Sequence, residues 1–319
     1  MRDTILFGDC RDTLKQFDEK ARMCVTSPPY YGLRDYGGED SQIGQEQSPE
    51  EFIDELVKVF REVRNVLTDD GTCWVNLGDS YYNYRKDGCI PKQTFANNRQ
   101  DLPETTPRRS NKLKGLKEKD LIGIPWMFAF AMRADGWHLR QDIIWHKPNP
   151  MPESVRDRCT KAHEYIFLFS KNKKYFYDNE AIKEPAKDWG TRDRTNGKYT
   201  SNNEYGQAPH SGLTKSYAKK NKRSVWSVTK KPYRGAHFAT YPPDLIEPCI
   251  KAGSEKGDIV LDPFMGSGTT AAVAKSLGRD YIGCELHEDY GNLIQKRIRE
   301  YHPVEEVSQE TGVNILDII

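Results

Sequence analysis

The stretch from Ile259 to Glu285 constrains the fold more than any other part of the chain. It begins with the apolar run IVLDPF, which is typical of a buried strand, and passes through the glycine turn MGSG into the helical segment TTAAVAKSLG. A second strand pattern, YIGCE, follows directly. Strand, helix and strand in this order form a βαβ unit with parallel strands, so the sequence predicts an α/β fold.

Other segments carry the periodic patterns that such a fold requires. Ser48 and Glu51 form a capping box around Pro49, which predicts a helix that begins there and runs to about Leu67. Asp69-Asp70-Gly71 is expected to end that helix. The sequence further predicts strands at 72–77, 142–146 and 165–170 and a helix near 120–135.

Charge is distributed unevenly along a chain whose net charge is only +1. Residues 171–235 hold 16 Lys and Arg against 6 Asp and Glu, and residues 85–119 hold 10 against 4. Tyrosines and a tryptophan are interleaved with the basic residues of the first segment. This combination favours contact with nucleic acid, although solvated surface loops are the alternative. We expect residues 85–119 to form a long, mobile loop.

The composition excludes several classes of protein. No apolar run approaches the ~18 residues of a membrane span, and the N-terminus lacks a signal-peptide pattern. The 7 cysteines are scattered without a C-x-x-C motif, which argues against a disulfide framework or a zinc site. We therefore expect a cytoplasmic protein with no metal and no membrane contact.

The segment DPFMGSGTT, residues 262–270, indicates what the fold binds. Gly266 and Gly268 stand where a strand becomes a helix, which exposes unpaired helical N–H groups to a ligand. Glu285 ends the next strand, where nucleotide-binding folds place an acid on ribose hydroxyls. The lysine of a phosphate-binding loop is missing, and Asp262 suits a cationic group. Ribose, positive charge and no polyphosphate together point to S-adenosylmethionine; an ordinary glycine turn is the alternative.

A second unusual string, TSPPYYGLRDY, occupies residues 26–36. Two consecutive prolines force a rigid turn after the apolar run Met23-Cys24-Val25. The turn carries a hydroxyl at Ser27 and an aromatic ring at Tyr30, but it has no evident acid, base or nucleophile. By itself this pattern would be read as a structural turn that ends a strand.

Together, SPPY and DPFMGSGT resemble the catalytic and cofactor motifs of the amino-methylating DNA methyltransferases, which modify N4 of cytosine or N6 of adenine. The catalytic motif precedes the cofactor motif, an order similar to that of the β class of this family. LFGDC, GTCWVNLGD, DIIWHKPNPMPES and HFATYPPDLIEPCI resemble further family segments in the same order. The resemblance spans most of 1–84, 120–177 and 225–295.

This resemblance implies a Rossmann-like fold that uses S-adenosylmethionine, with a mixed, mostly parallel sheet and helices on both of its faces. It implies a catalytic part at 1–170, a target-recognition region for double-stranded DNA at 171–235 and a cofactor-binding part at 236–319. The implied catalytic residues are Ser27, Pro28, Pro29 and Tyr30. The implied cofactor-binding residues are Asp9, Cys10, Thr26, His237, Phe238, Thr240, Tyr241, Asp262, Pro263, Phe264, Gly266, Ser267, Gly268, Thr269 and Glu285.

The chemistry explains why no catalytic acid or nucleophile is required. An exocyclic amino group is a poor nucleophile, so two acceptors that bind its hydrogens help to aim its lone pair at the methyl group. The Ser27 hydroxyl and the Pro28 carbonyl supply such acceptors, and Tyr30 can stack on a base flipped out of the duplex. The methyl group then transfers in line, largely through positioning.

Several alternatives stay open at this point. Serine in the first catalytic position favours N4 of cytosine, with N6 of adenine as the alternative. Pro248-Cys249 resembles the nucleophile of cytosine-C5 methylation, but Cys249 stands at helical spacing from Leu245 and Ile246 and reads as a core residue. An inactive DNA-binding regulator and an RNA or protein substrate are further alternatives. The recognition sequence, a partner restriction endonuclease, a bacterial or phage host and the oligomeric state are undetermined.

Overall fold

The computed structural model describes residues 1–32, 42–82, 113, 115–186, 218–229 and 241–301. The α-helices of this part of the chain are α1 (Cys10–Thr13), α2 (Pro49–Val66), α3 (Ile124–Ala134), α4 (Pro243–Gly253), α5 (Thr269–Ser276) and α6 (Tyr290–Glu300). The strands are β1 (Thr4–Phe7), β2 (Ala21–Thr26), β3 (Leu67–Leu77), β4 (His138–His146), β5 (His163–Ser170), β6 (Glu184–Pro185), β7 (Lys219–Lys220), β8 (Val225–Ser227), β9 (Ile259–Asp262) and β10 (Asp280–Glu285).

Eight strands of the described chain form one sheet in the order β1-β10-β9-β2-β3-β5-β4-β8. Neighbouring strands are parallel except at β5, which lies between β3 and β4 and runs antiparallel to both. Strands β6 and β7 form a separate antiparallel pair. The predicted mostly parallel, mixed sheet is therefore confirmed.

Helices cover both faces of the sheet, and each face has its own apolar core. Phe52 of α2 and Phe128 of α3 pack in one core, whereas Leu245 of α4 and Val273 of α5 pack in the other. Successive strand residues alternate between the two cores because side chains point to opposite faces with a period of two. In β2, for example, Cys24 faces the first core while Met23 and Val25 face the second.

Helix α2 begins as the sequence predicts. Ser48 is its N-cap and accepts a hydrogen bond from the Glu51 backbone N–H at 3.2 Å, and Pro49 is its first residue. The Glu51 carboxylate reaches back to the N–H of Gln47 at 3.1 Å, one residue before the cap. An N-terminal cap of this kind satisfies backbone donors that no helical carbonyl can reach.

The predicted end of this helix, near Leu67, is confirmed, but the residues predicted to end it are wrong. Helix α2 ends at Val66, and Leu67 already pairs with Ala21 as the start of β3. The pairing of β2 with β3 then shifts, so that the next partners are Met23 and Thr72. Asp69-Asp70-Gly71 thus lies in a strand irregularity and does not end the helix. Strands β4 and β5 also begin before their predicted starts, at His138 and His163.

The ends of the predicted target-recognition region, 171–235, pack on the body of the protein. The Lys171 N–H donates to the Gly71 carbonyl, and Ile182 is buried in the core that contains α4. At the other end, β8 is the edge strand of the large sheet, where Trp226 pairs with Trp145. Residues 187–217 and 230–235 of this region lie outside the described residues, as do 85–112 and 114 of the predicted basic loop.

Two chain segments diverge from the centre of the sheet. Strand β9 continues through α5 to β10 on one side, whereas the adjacent β2 continues through α2 to β3 on the other side. Ligands of open α/β sheets bind at such a switch point, outside the carboxyl ends of the strands. Among the described residues, no helix has both the length and the apolar character that a membrane span requires.

Candidate active site

The carboxyl ends of four neighbouring parallel strands bring the predicted motifs together. Asp9 follows β1, Glu285 ends β10, Asp262 ends β9, and Ser27 follows β2. Parallel strands lie about 4.8 Å apart, so these ends form one continuous rim about 15 Å long. Segments separated by more than two hundred residues in the sequence thus share one edge of the sheet.

Asp262 connects the two motifs at the centre of this rim. Its Oδ1 accepts hydrogen bonds from the Thr26 hydroxyl at 2.6 Å and from the Phe264 N–H at 3.0 Å. Its Oδ2 accepts from the Tyr241 hydroxyl at 3.1 Å and from the Thr270 hydroxyl. Since Thr26 ends β2 and directly precedes Ser27, this buried carboxylate links the predicted catalytic turn (Ser27–Tyr30) to the glycine turn.

The environment of Asp262 differs from what its place in the motif suggests. The side chain is 1% exposed, and burial raises the pKa of its carboxyl, although the four internal donors oppose that shift. Its contact with a cationic ligand group stays a prediction. The contacts that the structure describes are internal, and they give Asp262 a structural role in joining β2, β9 and α5.

Glu285 holds the glycine turn from the neighbouring strand. Its Oε2 accepts from the Gly266 N–H at 2.7 Å, and its Oε1 accepts from the His287 N–H at 3.1 Å. Burial raises the pKa of this carboxyl from its usual value near 4.5 to about 7. Each oxygen of this carboxylate accepts one of these hydrogen bonds and has a second lone pair for a ligand hydroxyl. This fits the contact with ribose that is predicted from the sequence.

Gly268 is required by packing as well as by backbone conformation. It is the N-cap of α5 with a φ of +81°, in the left-handed region, and a Cβ there would lie 2.7 Å from Cγ2 of Ile294 in α6. Its hydrogen is therefore needed where α6 crosses the glycine turn. From the sequence, Gly268 was predicted to let a ligand approach the backbone. The structure shows that it also makes room for Ile294 of α6.

We expect Gly268→Ala to lower the free energy of unfolding by about 2–4 kcal/mol, since it combines a left-handed alanine with an overlap that displaces α6. Gly278→Ala is the matched control because Gly278 has a similar φ of +74°, but its Cβ would make ordinary contacts with Lys256, at 3.6 Å from Cγ and 3.8 Å from Cδ. Urea unfolding measures both. Equal losses in the two variants would contradict the packing role.

The other residues of the glycine turn have mostly buried side chains. The Ser267 hydroxyl accepts a hydrogen bond from Arg297 of α6, and Ser267 and Thr269 are 1% and 4% exposed. Pro263 is buried and Phe264 packs partly against the first core. Contact of these residues with a cofactor stays a prediction, and for Ser267 and Thr269 the accessible groups at the turn are those of the backbone.

Asp9 and Cys10 form the turn after β1. Asp9 is the N-cap of α1, accepts from the Arg11 N–H at 2.8 Å and forms an ion pair with the Arg11 guanidinium. Burial by itself would raise the pKa of Asp9, but the hydrogen bonds from Arg11 outweigh it and lower the pKa. Cys10 is 7% exposed and packs in the first core, where burial raises the pKa of its thiol.

The predicted catalytic turn begins directly after β2. Ser27, Pro29 and Tyr30 are half-buried and Pro28 is buried. The Tyr30 hydroxyl donates to Oε2 of Glu164 at 2.7 Å, and it lies 3.4 Å from Oδ1 of Asn76. Burial and the neighbouring carboxylate raise the pKa of Tyr30 well above its usual value. Tyr30 therefore stays protonated and acts as a hydrogen-bond donor.

The predicted site residues that follow the second basic segment are only partly described. Tyr241 is 8% exposed, and its hydroxyl contacts both Asp262 and Thr270. It therefore reaches the same carboxylate that holds the two motifs together. His237, Phe238 and Thr240 lie outside the described residues.

Five residues at the site were not predicted from the sequence. Asn76, Gly78 and Glu164 lie against Tyr30, Lys147 forms an ion pair with Glu164, and Arg297 contacts the glycine turn. A signal existed for two of them: Lys147 and Glu164 are charged residues at the ends of strongly apolar strand patterns. Charged residues are almost never buried unless they are paired.

The structure supports the interpretation of Cys249 as a core residue. It is fully buried in α4, its thiol lies 3.7 Å from the Leu245 carbonyl, and burial raises its pKa. A thiol in that environment is a poor nucleophile because the thiolate is the reactive form. It also lies on the covered side of the helix, in the core that α4 shares with the sheet.

Comparison with known proteins gives a consistent picture. A family model described as DNA methylase, N6_N4_Mtase, matches residues 21–296. Type II methyltransferase M.XycI from Xanthomonas campestris pv. cyanopsidis is 45% identical over 301 residues, which cover 94% of this chain and 89% of that protein. Type II methyltransferase M.SmaI from Serratia marcescens is 46% identical over 299 residues, covering 92% and 90%.

Solved structures share the fold at lower sequence identity. PvuII DNA methyltransferase (cytosine-N4-specific) matches with a TM-score of 0.60 and 19% identity, covering 93% of this chain and 86% of that chain. TTHA0409 from Thermus thermophilus, a putative DNA modification methylase complexed with S-adenosyl-L-methionine, matches with a TM-score of 0.55 and 24% identity, covering 92% and 91%.

Proposed function

Because this chain belongs to the N6/N4 DNA methylase family, we propose that it methylates the exocyclic N4 of cytosine in duplex DNA. It is a type II DNA methyltransferase that depends on S-adenosylmethionine. Type II methyltransferases belong to restriction–modification systems, so a cognate restriction endonuclease is the proposed biological partner. The target base, the duplex and the base-flipping step are the parts that we propose.

One observation carries the proposal. The turn Ser27–Tyr30 and the glycine turn leave adjacent strands at the switch point of the sheet, and the hydrogen bond from Thr26 to Asp262 joins them. A base held at the first turn and a cofactor held at the second would lie side by side. Methyl transfer needs only this placement of donor and acceptor in line.

The residues present fit S-adenosylmethionine. Glu285 offers acceptor capacity for ribose hydroxyls, and the N-terminus of α5 offers backbone N–H groups beside it. The bound cofactor supplies the methyl group, on a sulfonium whose positive charge makes that group electrophilic. We propose that Glu285, ionised when ribose hydroxyls donate to it, favours this cation through its negative charge.

On the base side, Ser27 and Pro28 provide the chemistry. The Ser27 hydroxyl oxygen and the Pro28 carbonyl each accept one hydrogen of the amino group, which favours a tetrahedral nitrogen with a directed lone pair. Proline fixes φ, so the carbonyl is preorganised at no further entropic cost during the reaction. Tyr30 provides an aromatic face for a flipped base, whose extraction from the duplex costs a few kcal/mol.

Serine at the first position favours cytosine. A neutral hydroxyl accepts less strongly than a carboxylate, and the more electron-rich amino group of cytosine needs less activation than that of adenine. N6-adenine methylation is the alternative within the same site. An inactive DNA-binding regulator is a weaker alternative because Ser27, Pro28, Pro29, Tyr30 and Asp262 are all present.

Nucleoside mass spectrometry tests the proposal. Duplex DNA of broad sequence content is incubated with the protein and S-adenosylmethionine, digested and analysed for methylated bases. We expect N4-methylcytosine. Detection of N6-methyladenine would support the enzyme class but refute the assignment of cytosine as the target base. Detection of no methylated base would favour the inactive regulator or a different substrate.

Cofactor binding should depend on pH through Glu285. Ribose hydroxyls that donate to this carboxyl favour its ionised form, so the bound protein gives up a proton that the free protein retains below about pH 7. Affinity is therefore expected to rise by up to about tenfold from pH 6 to pH 8, with proton release on binding. Calorimetry in two buffers of different ionisation enthalpy measures both effects.

Glu285→Gln is the control for this pH dependence, because it keeps the side-chain shape without the titrating group. It should flatten the pH profile and abolish the proton release. A pH profile unchanged in Glu285→Gln would contradict a ribose contact by Glu285.

A further inference from the structure

A buried ion pair lies directly behind the catalytic turn. Lys147 follows β4 and Glu164 lies near the start of β5, and their side chains are only 8% and 13% exposed. Glu164 also accepts hydrogen bonds from Tyr30 at 2.7 Å and from Nδ2 of Asn76 at 3.2 Å. This carboxylate thus accepts from donors at the ends of β3 and β4 and from the catalytic turn.

Stability alone is a weak reason for such an arrangement. Removing two charges from water costs several kcal/mol per ion, and apolar residues of similar volume often stabilise a protein as well or better. A buried pair is better explained by what its geometry holds in place. Here the carboxylate holds a tyrosine of the catalytic motif.

The ring of Tyr30 is confined at a second point. A Cβ added to Gly78, one residue past β3, would lie 2.8 Å from Cε2 and 3.3 Å from Cζ of this ring. The ring edge therefore rests on the bare backbone of Gly78, while its hydroxyl is fixed by Glu164. These contacts leave the ring little freedom to rotate or tilt.

We propose that Glu164 is a positioning residue for the methyl transfer proposed above: it accepts the hydroxyl hydrogen of Tyr30 and so fixes the turn that carries Ser27 and Pro28. The Lys147 ammonium balances the negative charge of the Glu164 carboxylate, and the Asn76 amide donates a second hydrogen bond to that carboxylate. The inference rests on the proposed function, because positioning has a meaning only if Ser27–Tyr30 holds the substrate base.

The experiment compares full-length wild type with Glu164→Gln, Tyr30→Phe and the double variant. Glu164→Gln is expected to lower kcat by about 10- to 100-fold, the effect of a small misplacement, with cofactor affinity by calorimetry and cofactor KM changed less than about twofold. Tyr30→Phe should lower kcat in the same direction. The kcat of the double variant should be no lower than that of the slower single variant, because both substitutions remove the same hydrogen bond. Multiplicative losses, or a wild-type kcat in Glu164→Gln, would overturn the proposal.

A spectroscopic readout tests the contact without turnover. The ultraviolet difference between wild type and Tyr30→Phe isolates the ionisation of Tyr30, and the difference between Glu164→Gln and the double variant isolates it without the carboxylate. The apparent pKa of Tyr30 should fall when Glu164 is neutralised, because the negative charge beside the hydroxyl is gone. An unchanged value would contradict the contact.

Two further variants separate positioning from folding. Lys147→Met combined with Glu164→Gln removes both charges and so avoids a lone buried ion, but it still lacks the anionic acceptor for Tyr30. This double variant should fold and bind cofactor, and its kcat should stay as low as that of Glu164→Gln. A kcat restored to the wild-type value would overturn the positioning role. Glu247→Gln, which among the described residues breaks a surface ion pair with Lys251, is the control expected to match wild type.

Failure of this inference is distinguishable from failure of the proposed function. If wild type methylates neither base of duplex DNA, the proposed function fails before any variant is compared. If wild type methylates cytosine or adenine, the comparison of variants proceeds unchanged, because both reactions need the same turn.

Discussion

Ser27→Ala is expected to lower methyl transfer by about 100- to 1000-fold while leaving cofactor affinity within about twofold of wild type. Its hydroxyl is one of two preorganised partners for the reacting amino group, and removing one such partner typically costs this much in kcat. The cofactor contacts proposed for Glu285 and the glycine turn do not involve this side chain. A methyl-transfer assay and calorimetry give the two quantities.

The control for this prediction is Ser276→Ala, at the end of α5, because the Ser276 hydroxyl contacts only the helix carbonyl of Val273 among the contacts that the structure describes. It should retain wild-type turnover. Undiminished turnover in Ser27→Ala would refute the role of the hydroxyl, and a parallel loss of cofactor binding would instead indicate that the turn had been displaced.

Asp262→Ala is expected to lower the free energy of unfolding by about 3–5 kcal/mol. The substitution leaves three buried hydroxyls and one backbone N–H without their acceptor, and each unsatisfied buried group costs about 1–3 kcal/mol before relaxation. This is a large share of the 5–15 kcal/mol typical of a folded protein. Urea unfolding measures it, and cofactor affinity should fall with it because β2 and β9 lose their link.

Two comparisons make the Asp262 prediction specific. Asp262→Asn keeps Oδ1 for Thr26 and Phe264, and its amide can donate to the rotatable hydroxyls of Tyr241 and Thr270, so its loss should be clearly smaller. Asp54→Ala, on the exposed face of α2, should change stability by less than about 0.5 kcal/mol. Equal effects of the alanine and asparagine substitutions at position 262 would contradict the four-donor arrangement.

Local patterns were sufficient for much of the fold. The apolar run from Ile259 to Asp262, the glycines after it and the second strand predicted a βαβ unit that the structure confirms, because a buried strand and an amphipathic helix each have a distinct period. The capped start of α2 at Pro49 was equally local. Element ends were less predictable: Leu67 follows helix α2 directly as strand because it pairs with Ala21, a contact that its neighbours in the sequence do not reveal.

The chemical groups of the candidate site could also be predicted from the sequence. A hydroxyl before two prolines, an aspartate before a glycine turn and a glutamate at the next strand end are local features with chemical meaning. These features identified strand ends that lie side by side in the observed order of the sheet. The exposure of each side chain was not predictable in this way, and Cys10, Ser267 and Thr269 are buried although they belong to the motifs.

The sequence by itself therefore determined which residues occupy the turns at the strand ends, since turn chemistry and strand periodicity are properties of neighbouring residues. Only the tertiary structure decided which side chains face one another across strands. Thr26 and Asp262 are 236 residues apart, and Tyr30 and Glu164 are 134 apart, yet each pair forms a hydrogen bond. Such pairs arise from strand order and register, which depend on how the two apolar faces of the whole sheet are covered.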